Sequence, residues 1–423
     1  MRKTIQPSFA DLTIANMIPA DDPLKIIFDS IDFSFIYELC KNKYSQCGRQ
    51  GFNPQSLFKA LLLIYLSYAS SEKELARKLM LRLSALPQEI ASQLSLSALP
   101  QEIASHFDGR LCCLCEIFYG KTPKHNTFHY LRMKLGEEVF YEILLNLIAQ
   151  AVCLIKAKNL KQYIDSSHIE AFNTDKDAKW GYKSKDFSFF GYKVHLEVTQ
   201  GAFPIPVSVK VTEGNKWDGH YLVELTESAC KHLSAKGKNI KAVIADAGYD
   251  SVNTAKYLLQ KNITPIIAEN PRSRKNSETI GQVTITAQGK LLCPAGIELC
   301  YWGREHKRGR IKFRCGLFKQ KGEGCLFKNI CYKTDYGPTF YFKEDMDIQN
   351  AMKAIRQSKS FKKTYNKRTV IERLFSILKN THKLSELRFK GISKVSSHIF
   401  MSISSYVCRV IASIKLKREL LPV

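Results

Sequence analysis

One helical face near the C-terminus constrains this chain more than any other stretch: residues 365–379 read YNKRTVIERLFSILK. Tyr365, Arg368, Glu372 and Lys379 follow one another at intervals of 3, 4 and 7 residues. At about 100° per residue they fall within an arc of roughly 60° on one side of a helix. The apolar side chains cluster on the other side: Val370, Ile371, Leu374, Ile377 and Leu378. The spacing predicts an amphipathic helix that presents a carboxylate among cations. An ordinary surface helix with an i,i+4 ion pair fits it equally well.

The charge balance indicates the class of partner. The 423 residues include 64 Lys and Arg against 39 Asp and Glu, a net charge of +25. Phosphate contacts supply most non-specific affinity for nucleic acid, so we expect DNA rather than an anionic membrane as the partner. Apolar stretches such as 60–66 and 143–155 are shorter than the about 18 residues that span a bilayer. Residues 1–24 lack the apolar segment of a signal peptide, so we expect a cytoplasmic, nucleoid-associated protein.

The N-terminal region, residues 1–158, is predicted to be helical and to bind DNA. Asn53 and Pro54 form an N-cap with proline at the first helical position. A second helix start follows at Ser71, with Glu74 completing a capping box. Two helices joined by a short turn resemble a helix-turn-helix, although many such pairs bind no DNA.

A short basic helix is predicted farther along, from Phe128 to Leu135, and Gly136 ends it. Its Arg132 and Lys134 are candidates for DNA contact, and a solvated basic face is the alternative. Before it, residues 83–92 and 96–105 repeat the sequence LSALPQEIAS. A single short repeat is typical of a local duplication in a surface loop.

From residue 161 the pattern changes to strands. Residues 162–165, 191–199 and 205–212 are predicted strands, and helices alternate with further strands at 240–245 and 263–268. This order is that of an RNase H-like α/β domain. We therefore expect a mixed sheet flanked by helices.

Two aspartates are predicted to end strands of this sheet. Asp165 lies in YIDSSHIEA and Asp246 in VIADAGYDS, where Gly248 allows a sharp turn. Sites in open α/β sheets form at strand ends, so neighbouring strands could bring the two carboxylates together. Taken singly, such an aspartate is more often a cap or turn residue.

The three segments together resemble insertion-sequence transposases of the DDE type, in the group with the signature Tyr-x2-Arg-x3-Glu-x6-Lys. The resemblance implies that Asp165, Asp246 and Glu372 are the catalytic carboxylates and bind Mg²⁺ or Mn²⁺. Two such ions about 3.5–4 Å apart stabilise the attacking and leaving oxygens in phosphoryl transfer. It also implies that Tyr365, Arg368 and Lys379 contact DNA.

An insertion, residues 270–345, contains several cations and five cysteines. The cysteines resemble those of an insertion in relatives of this group, which implies a Zn²⁺ site formed by four of them: Cys293, Cys315, Cys325 and Cys331. The spacing lacks any Cys-x2-Cys pair, and thiols that only pack in a core are the alternative.

The sequence thus predicts a DNA transposase with four segments: 1–158, the catalytic domain's first part at 159–269, the insertion at 270–345, and the glutamate helix with C-terminal helices at 346–423. We expect its partner to be double-stranded DNA, comprising the terminal inverted repeats of the element and a target. Joining requires two DNA ends, so we expect a homodimer or larger assembly. The alternatives are a DNA-binding protein without catalysis and a metal-dependent nuclease of the same fold.

Overall fold

A computed structural model of the chain describes residues 7, 9–44, 51–80, 109–118, 122–182, 187–271, 283–285, 290–306, 309–332, 337–343 and 346–420. The repeat at 83–105 lies outside these residues. Within them the chain divides into two compact units. The first contains Met1–Ala242 and Lys367–Val423, and the second contains Val243–Asn366. The limits predicted at 158, 269 and 345 stay predictions.

In the part of the chain that the structure describes, the first unit begins with seven helices. They are α1 (Phe9–Met17), α2 (Pro23–Asp29), α3 (Phe35–Cys40), α4 (Pro54–Tyr65), α5 (Glu72–Met80), α6 (Gly109–Leu114) and α7 (His125–Cys153). The predicted caps are present. The Asn53 side chain accepts from the Gln55 amide at 2.9 Å, and Ser71 Oγ accepts from the Glu74 amide at 3.2 Å.

The long helix α7 is bent at its glycine. Gly136 has φ 69° and ψ 176°, which is not helical and which residues with a Cβ rarely adopt. The predicted end of the basic helix at this residue is confirmed, and a second helical segment follows directly.

Arg132, predicted to contact DNA, is instead part of the protein core. Its side chain is only 9% exposed, and its Nε donates to Glu72 Oε1 at 2.6 Å. Its guanidinium carbon lies 5.0 Å from the ring centroid of Phe389. The prediction is wrong for this residue because an internal carboxylate and an aromatic ring hold the cation. Lys134 is exposed, and its Nζ lies 3.9 Å from the Tyr44 ring centroid, so DNA contact there stays a prediction.

An antiparallel sheet follows the helices in the first unit. Its strands are β1 (Asn159–Glu170), β2 (Lys179–Tyr182), β3 (Ser188–Gln200) and β4 (Pro204–Glu213). β3 lies between β1 and β2 and also pairs with β4. The predicted strands at 191–199 and 205–212 and the turn between them are confirmed, whereas β2 was not predicted.

β1 is longer than the sequence indicates. It pairs with β3 from Gln162, opposite Thr199, to Glu170, opposite Gly191. Asp165 therefore lies within the strand, opposite Leu196, and the prediction that it ends the strand is wrong. The long partner strand supplies ladder hydrogen bonds beyond Asp165 and so extends β1.

The sheet carries a buried polar row. Gln162, Glu197 and Thr199 are 0% exposed, as is Thr226 of α8 (Leu222–Ser234). Burial raises the pKa of Glu197 to about 8, and the nearby Thr226 hydroxyl opposes this shift only in part. Glu197 is therefore largely protonated at neutral pH.

β5 (Asn239–Ala245) begins in the first unit, where the Asn239 amide donates to the Lys158 carbonyl at 2.8 Å. It continues into the second unit. The elements of that unit are α9 (Val252–Gln260), β6 (Thr264–Ile267), β7 (Thr284–Ile285), β8 (Leu291–Leu292), β9 (Leu299–Glu305), β10 (Arg310–Cys315), α10 (Lys328–Cys331), β11 (Thr339–Lys343), α11 (Met346–Gln357) and α12 (Phe361–Tyr365). β6 lies next to the end of β5, and β9, β10 and β11 form a separate sheet. The strands and helix predicted at 240–268 are confirmed.

Two helices complete the first unit, α13 (Thr369–Thr381) and α14 (Ile392–Leu416). α14 packs against α7, α2, α4 and β4. By length and composition α14 is the one helix in the described residues that could cross a membrane, but 83% of its most apolar 18-residue window is buried inside the protein. A core helix has these properties.

Replacing Arg132 tests its structural role. Arg132→Leu should lower the free energy of unfolding by about 2–4 kcal/mol, because Glu72 loses its partner in a largely buried position. Lys134→Ala, on the exposed side of the same helix, should change it by no more than about 0.5 kcal/mol. Urea unfolding followed by circular dichroism measures both, and equal effects would contradict the assignment.

Glu197 predicts a pH dependence of stability. Its pKa is about 8 in the folded protein against an ordinary value of 4.5, so the folded state keeps a proton that the unfolded chain releases. The free energy of unfolding should therefore fall as pH rises from about 4.5 to about 8, by up to about 1.4 kcal/mol per pH unit. Glu197→Gln should remove this slope. Urea unfolding at pH 5, 6.5 and 8 measures this pH dependence, and Glu224→Gln, at an exposed glutamate, is the control. Parallel pH profiles for Glu197→Gln and the parent would refute the prediction.

Candidate active site

Asp165 is held in a fixed orientation on β1. The Ser166 amide donates to its Oδ1 at 2.9 Å, and Arg368 Nη1 donates to its Oδ2 at 2.8 Å. Its side chain is 19% exposed, so the carboxylate is reachable from solvent. Both oxygens are thus oriented before any ligand binds.

Glu372 pairs with the same cation, the Arg368 guanidinium. It occupies the first turn of α13, where a carboxylate is favoured by the positive end of the helix dipole. Arg368 Nη2 donates to its Oε1 at 2.6 Å, and the glutamate side chain is 49% exposed. One guanidinium therefore brings together two of the three predicted catalytic carboxylates, which are 207 residues apart in the chain.

The predicted continuous helix from Tyr365 to Lys379 is interrupted. Residues Asn366–Arg368 form a 3₁₀ turn, and α13 starts only at Thr369. A pattern over so few residues does not separate a 3₁₀ turn from an α-helix. The break leaves Arg368 at the N-cap position of α13, beside Glu372.

Lys379 is anchored to the sheet in the first unit, where its Nζ donates to the His168 carbonyl at 3.1 Å. Tyr365 ends α12 in the second unit and stacks on Phe361, with ring centroids 5.7 Å apart. Arg368 and Lys379 have further N–H donors. Contact with DNA at these three residues stays a prediction.

Asp246 lies in the second unit, directly after β5 as predicted. Its Oδ1 accepts from the Gly248 amide at 2.9 Å, which caps the short turn Ala247–Tyr249. Asp250, also in this unit, pairs with Arg356 at 2.6 Å and accepts from the Asn270 amide. Asp250 is therefore a structural residue.

A polar network that the sequence did not predict supports Asp165. Ser166 Oγ donates to Asp218 Oδ2 at 2.8 Å, and Lys193 Nζ donates to Asp218 Oδ1 at 2.9 Å. His195 Nδ1 lies 3.9 Å from Asp218, but burial lowers the pKa of His195 to about 4 and keeps it neutral. Asp218 thus fixes Ser166, whose amide orients Asp165. The signals in the sequence were the position of Asp218 between a strand and a helix and its stretch TEGNKWDG, which resembles the family.

The zinc prediction is not supported by the arrangement of the cysteines. No group of three or more His, Cys, Asp or Glu side chains in the described part of the chain is arranged to hold a metal ion. Burial raises the pKa of Cys331, and the neighbouring thiols of Cys325, Cys293 and Cys315 raise it further. Cys293 packs instead with Leu299 and Phe340 in a small apolar core. Cys293 and Cys315 are buried and Cys325 and Cys331 are half-buried, and the Zn²⁺ site that these four cysteines could form stays a prediction.

Comparison with known proteins identifies the family. Residues 159–408 match the transposase DDE domain, and residues 12–86 match a transposase domain of the DUF772 type. The chain belongs to the transposase DDE-domain family. This DDE transposase is therefore an enzyme that cleaves and joins DNA strands. The matched residues include Asp165, Asp246 and Glu372.

Other comparisons add little to the family assignment. No curated protein matches the transposase. A similar solved structure is the Drosophila P element transposase strand transfer complex, with 10% identity, 88% of this chain and 71% of that chain covered, and a TM-score of 0.22. A similarity this weak supports no conclusion about the fold.

Removing the support of Asp165 should slow catalysis. Asp218→Ala and Ser166→Ala should each lower the rate of DNA strand cleavage roughly ten- to a hundredfold, because the Ser166 amide that orients the Asp165 carboxylate is then positioned less firmly. The double variant should lose no more than the stronger single variant, since both act through one contact. Single-turnover cleavage rates measure this. Additive losses would show that the two residues act separately.

Proposed function

We propose that this transposase cleaves DNA at the ends of its element and transfers the freed 3′ end into target DNA, using Asp165, Asp246 and Glu372 as its catalytic carboxylates. The observation that carries the proposal is the convergence of Asp165 and Glu372 on Arg368, at 2.8 and 2.6 Å. Two carboxylates placed close together repel each other, which lowers stability. Such arrangements are concentrated in catalytic sites.

The carboxylates fit a divalent cation. Mg²⁺ and Mn²⁺ prefer hard oxygen ligands, and the carboxylates of Asp165 and Glu372 both contact the Arg368 guanidinium. A bound metal would polarise the phosphate and activate the attacking oxygen. We propose Asp165, Asp246 and Glu372 as its ligands. A Zn²⁺ site at Cys293, Cys315, Cys325 and Cys331, whose thiols are neighbours, stays a separate prediction.

Arg368 contributes the positive charge beside the reacting phosphate. Its planar guanidinium has five N–H donors in a geometry that matches phosphate as well as carboxylate. It is 22% exposed, so part of the group faces solvent. The same side chain can therefore keep Asp165 and Glu372 in place and bind a strand that approaches them.

The proposed partner is double-stranded DNA, comprising the terminal inverted repeats of the element and a target. The net charge of +25 supports a polyanionic partner, and the family assignment supports DNA as that partner. Joining requires two ends to be held at once, which supports a homodimer or larger assembly on DNA. We place the protein in the cytoplasm, on the nucleoid.

A cleavage assay tests the carboxylates. A labelled duplex that carries the ends flanking the gene is incubated with protein and Mg²⁺ or Mn²⁺. Glu372→Gln should abolish nicking at the element boundary, by a factor of about 10³ or more, with DNA binding retained. Glu227→Gln, an exposed glutamate of α8, should behave as the parent does.

The same assay separates the proposal from its alternatives. Addition of a target plasmid should give joined products with the parent protein only. Nicking without joining would support a nuclease of the same fold. DNA binding without cleavage in the parent would contradict the proposed catalysis and favour a DNA-binding protein derived from a transposase.

A further inference from the structure

The sheet β9–β10–β11 in the second unit has one face that packs on a core. Phe340 and Leu299 of this sheet are buried together with Cys293. Phe313 and Phe342 pack against them with ring centroids 5.3 Å apart. Because side chains alternate along a strand, the neighbours of these residues project to the other face.

The other face, which we call the basic-aromatic face, consists of Arg310, Lys312, Arg314, Tyr341 and Trp302. The three cations occupy alternate positions of β10, and Lys312 is paired with Tyr341 of β11. Tyr341 and Trp302 are 48% and 46% exposed. Half-exposed aromatic rings among cations form a surface on which a planar, anionic ligand can stack.

Cations and rings on this face are in direct contact. The Arg314 guanidinium carbon lies 4.1 Å from the Trp302 ring centroid, and Arg310 and Lys312 each lie 5.9 Å from that of Tyr341. Glu305 lies opposite Arg310 in the register. No ion pair seen among the described residues involves the three cations of β10. Their charge is therefore available to a ligand.

We propose that the basic-aromatic face binds single-stranded DNA. The inference deepens the proposed function, in which strands are cut and freed, and it rests on DNA being the substrate. Trp302 and Tyr341 would stack on bases, and Arg310, Lys312 and Arg314 would contact the backbone phosphates. Stacking on a protein ring requires a base whose face is accessible, which a duplex does not offer.

The spacing of the cations suits such a strand. Alternate residues of a β-strand are about 6.8 Å apart. The sugar–phosphate linkage between successive nucleotides of a single strand can span a distance of this size, so neighbouring cations of β10 could each contact one phosphate.

Equilibrium binding to the full-length protein tests the face. Fluorescence anisotropy is measured with a labelled 20-nucleotide single strand and with the duplex of the same sequence, in EDTA so that no cleavage occurs. The double variant Trp302→Ala/Tyr341→Ala should bind the single strand at least tenfold more weakly and the duplex within twofold of the parent. Arg310→Ala/Lys312→Ala should lower the salt dependence, d log K/d log[salt], by about 1.4 for the single strand.

Matched controls separate this face from the remaining surface. Tyr301→Ala removes an exposed aromatic that contacts Phe313 on the core side of the same sheet, and Lys319→Ala removes an exposed cation of the same unit outside the face. Both should bind the single strand as the parent does. Equal losses in controls and face variants, or equal losses for single strand and duplex, would overturn the proposal.

A second measurement keeps the face intact. Trp302 is one of three tryptophans, and the other two, Trp180 and Trp217, are exposed. In the variant Trp180→Phe/Trp217→Phe, a single strand at saturation should quench the fluorescence of Trp302, whereas inorganic polyphosphate should not. Unchanged fluorescence at saturation would contradict stacking even if the alanine variants failed to fold. Because no metal and no cleavage is involved, failure here leaves the carboxylate chemistry untouched.

Discussion

The stability of the first unit depends on the burial of the helix α14. Every residue of α14 from 395 to 413 is buried, and the helix contacts α2, α4, α7 and β4. Each large apolar side chain buried in this way contributes about 1.5–3 kcal/mol. Two of its largest polar side chains have partners: Arg409 donates to His382 Nε2 at 2.9 Å, and His398 Nδ1 contacts the Tyr65 hydroxyl at 3.0 Å. α14 thus joins the N-terminal helices to the sheet that carries Asp165.

The candidate site uses this packing to keep like charges together. α13 precedes α14 in the chain, and its buried face contains Ile371, Leu374 and Leu378. Lys379 anchors its end to β1, and Arg368 links its start to Asp165. The carboxylates of Asp165 and Glu372 are consequently held by a rigid helix and a central strand. A site that must bind a cation between carboxylates needs such a support, because free side chains would move apart.

Local chemistry allowed much of this to be predicted. The cap at Asn53, the end of a helix at Gly136 and the β3–β4 hairpin follow from residue types that act over a few positions. The signature spacing identified Arg368 and Glu372 as neighbours for the same reason. The mixed α/β architecture followed from the order of strand and helix patterns.

The errors involve partners distant in the chain. β1 extends past Asp165 because β3 pairs with it, and Arg132 is buried because Glu72 and Phe389 meet it there. The role of Asp218 depends on Ser166 and Lys193, 52 and 25 residues away. A basic or acidic residue looks the same in sequence whether its partner is solvent or a buried opposite charge.

Mapping the metal ligands tests the central claim most directly. Fe²⁺ is substituted for Mg²⁺ in the presence of ascorbate and peroxide, so that the bound ion cuts the polypeptide at the residues nearest to it, and the fragments are identified by mass spectrometry. The account predicts cuts next to Asp165, Asp246 and Glu372 that excess Mg²⁺ suppresses. Cuts that avoid these residues, or that Mg²⁺ does not suppress, would contradict the proposal that these carboxylates form the metal site.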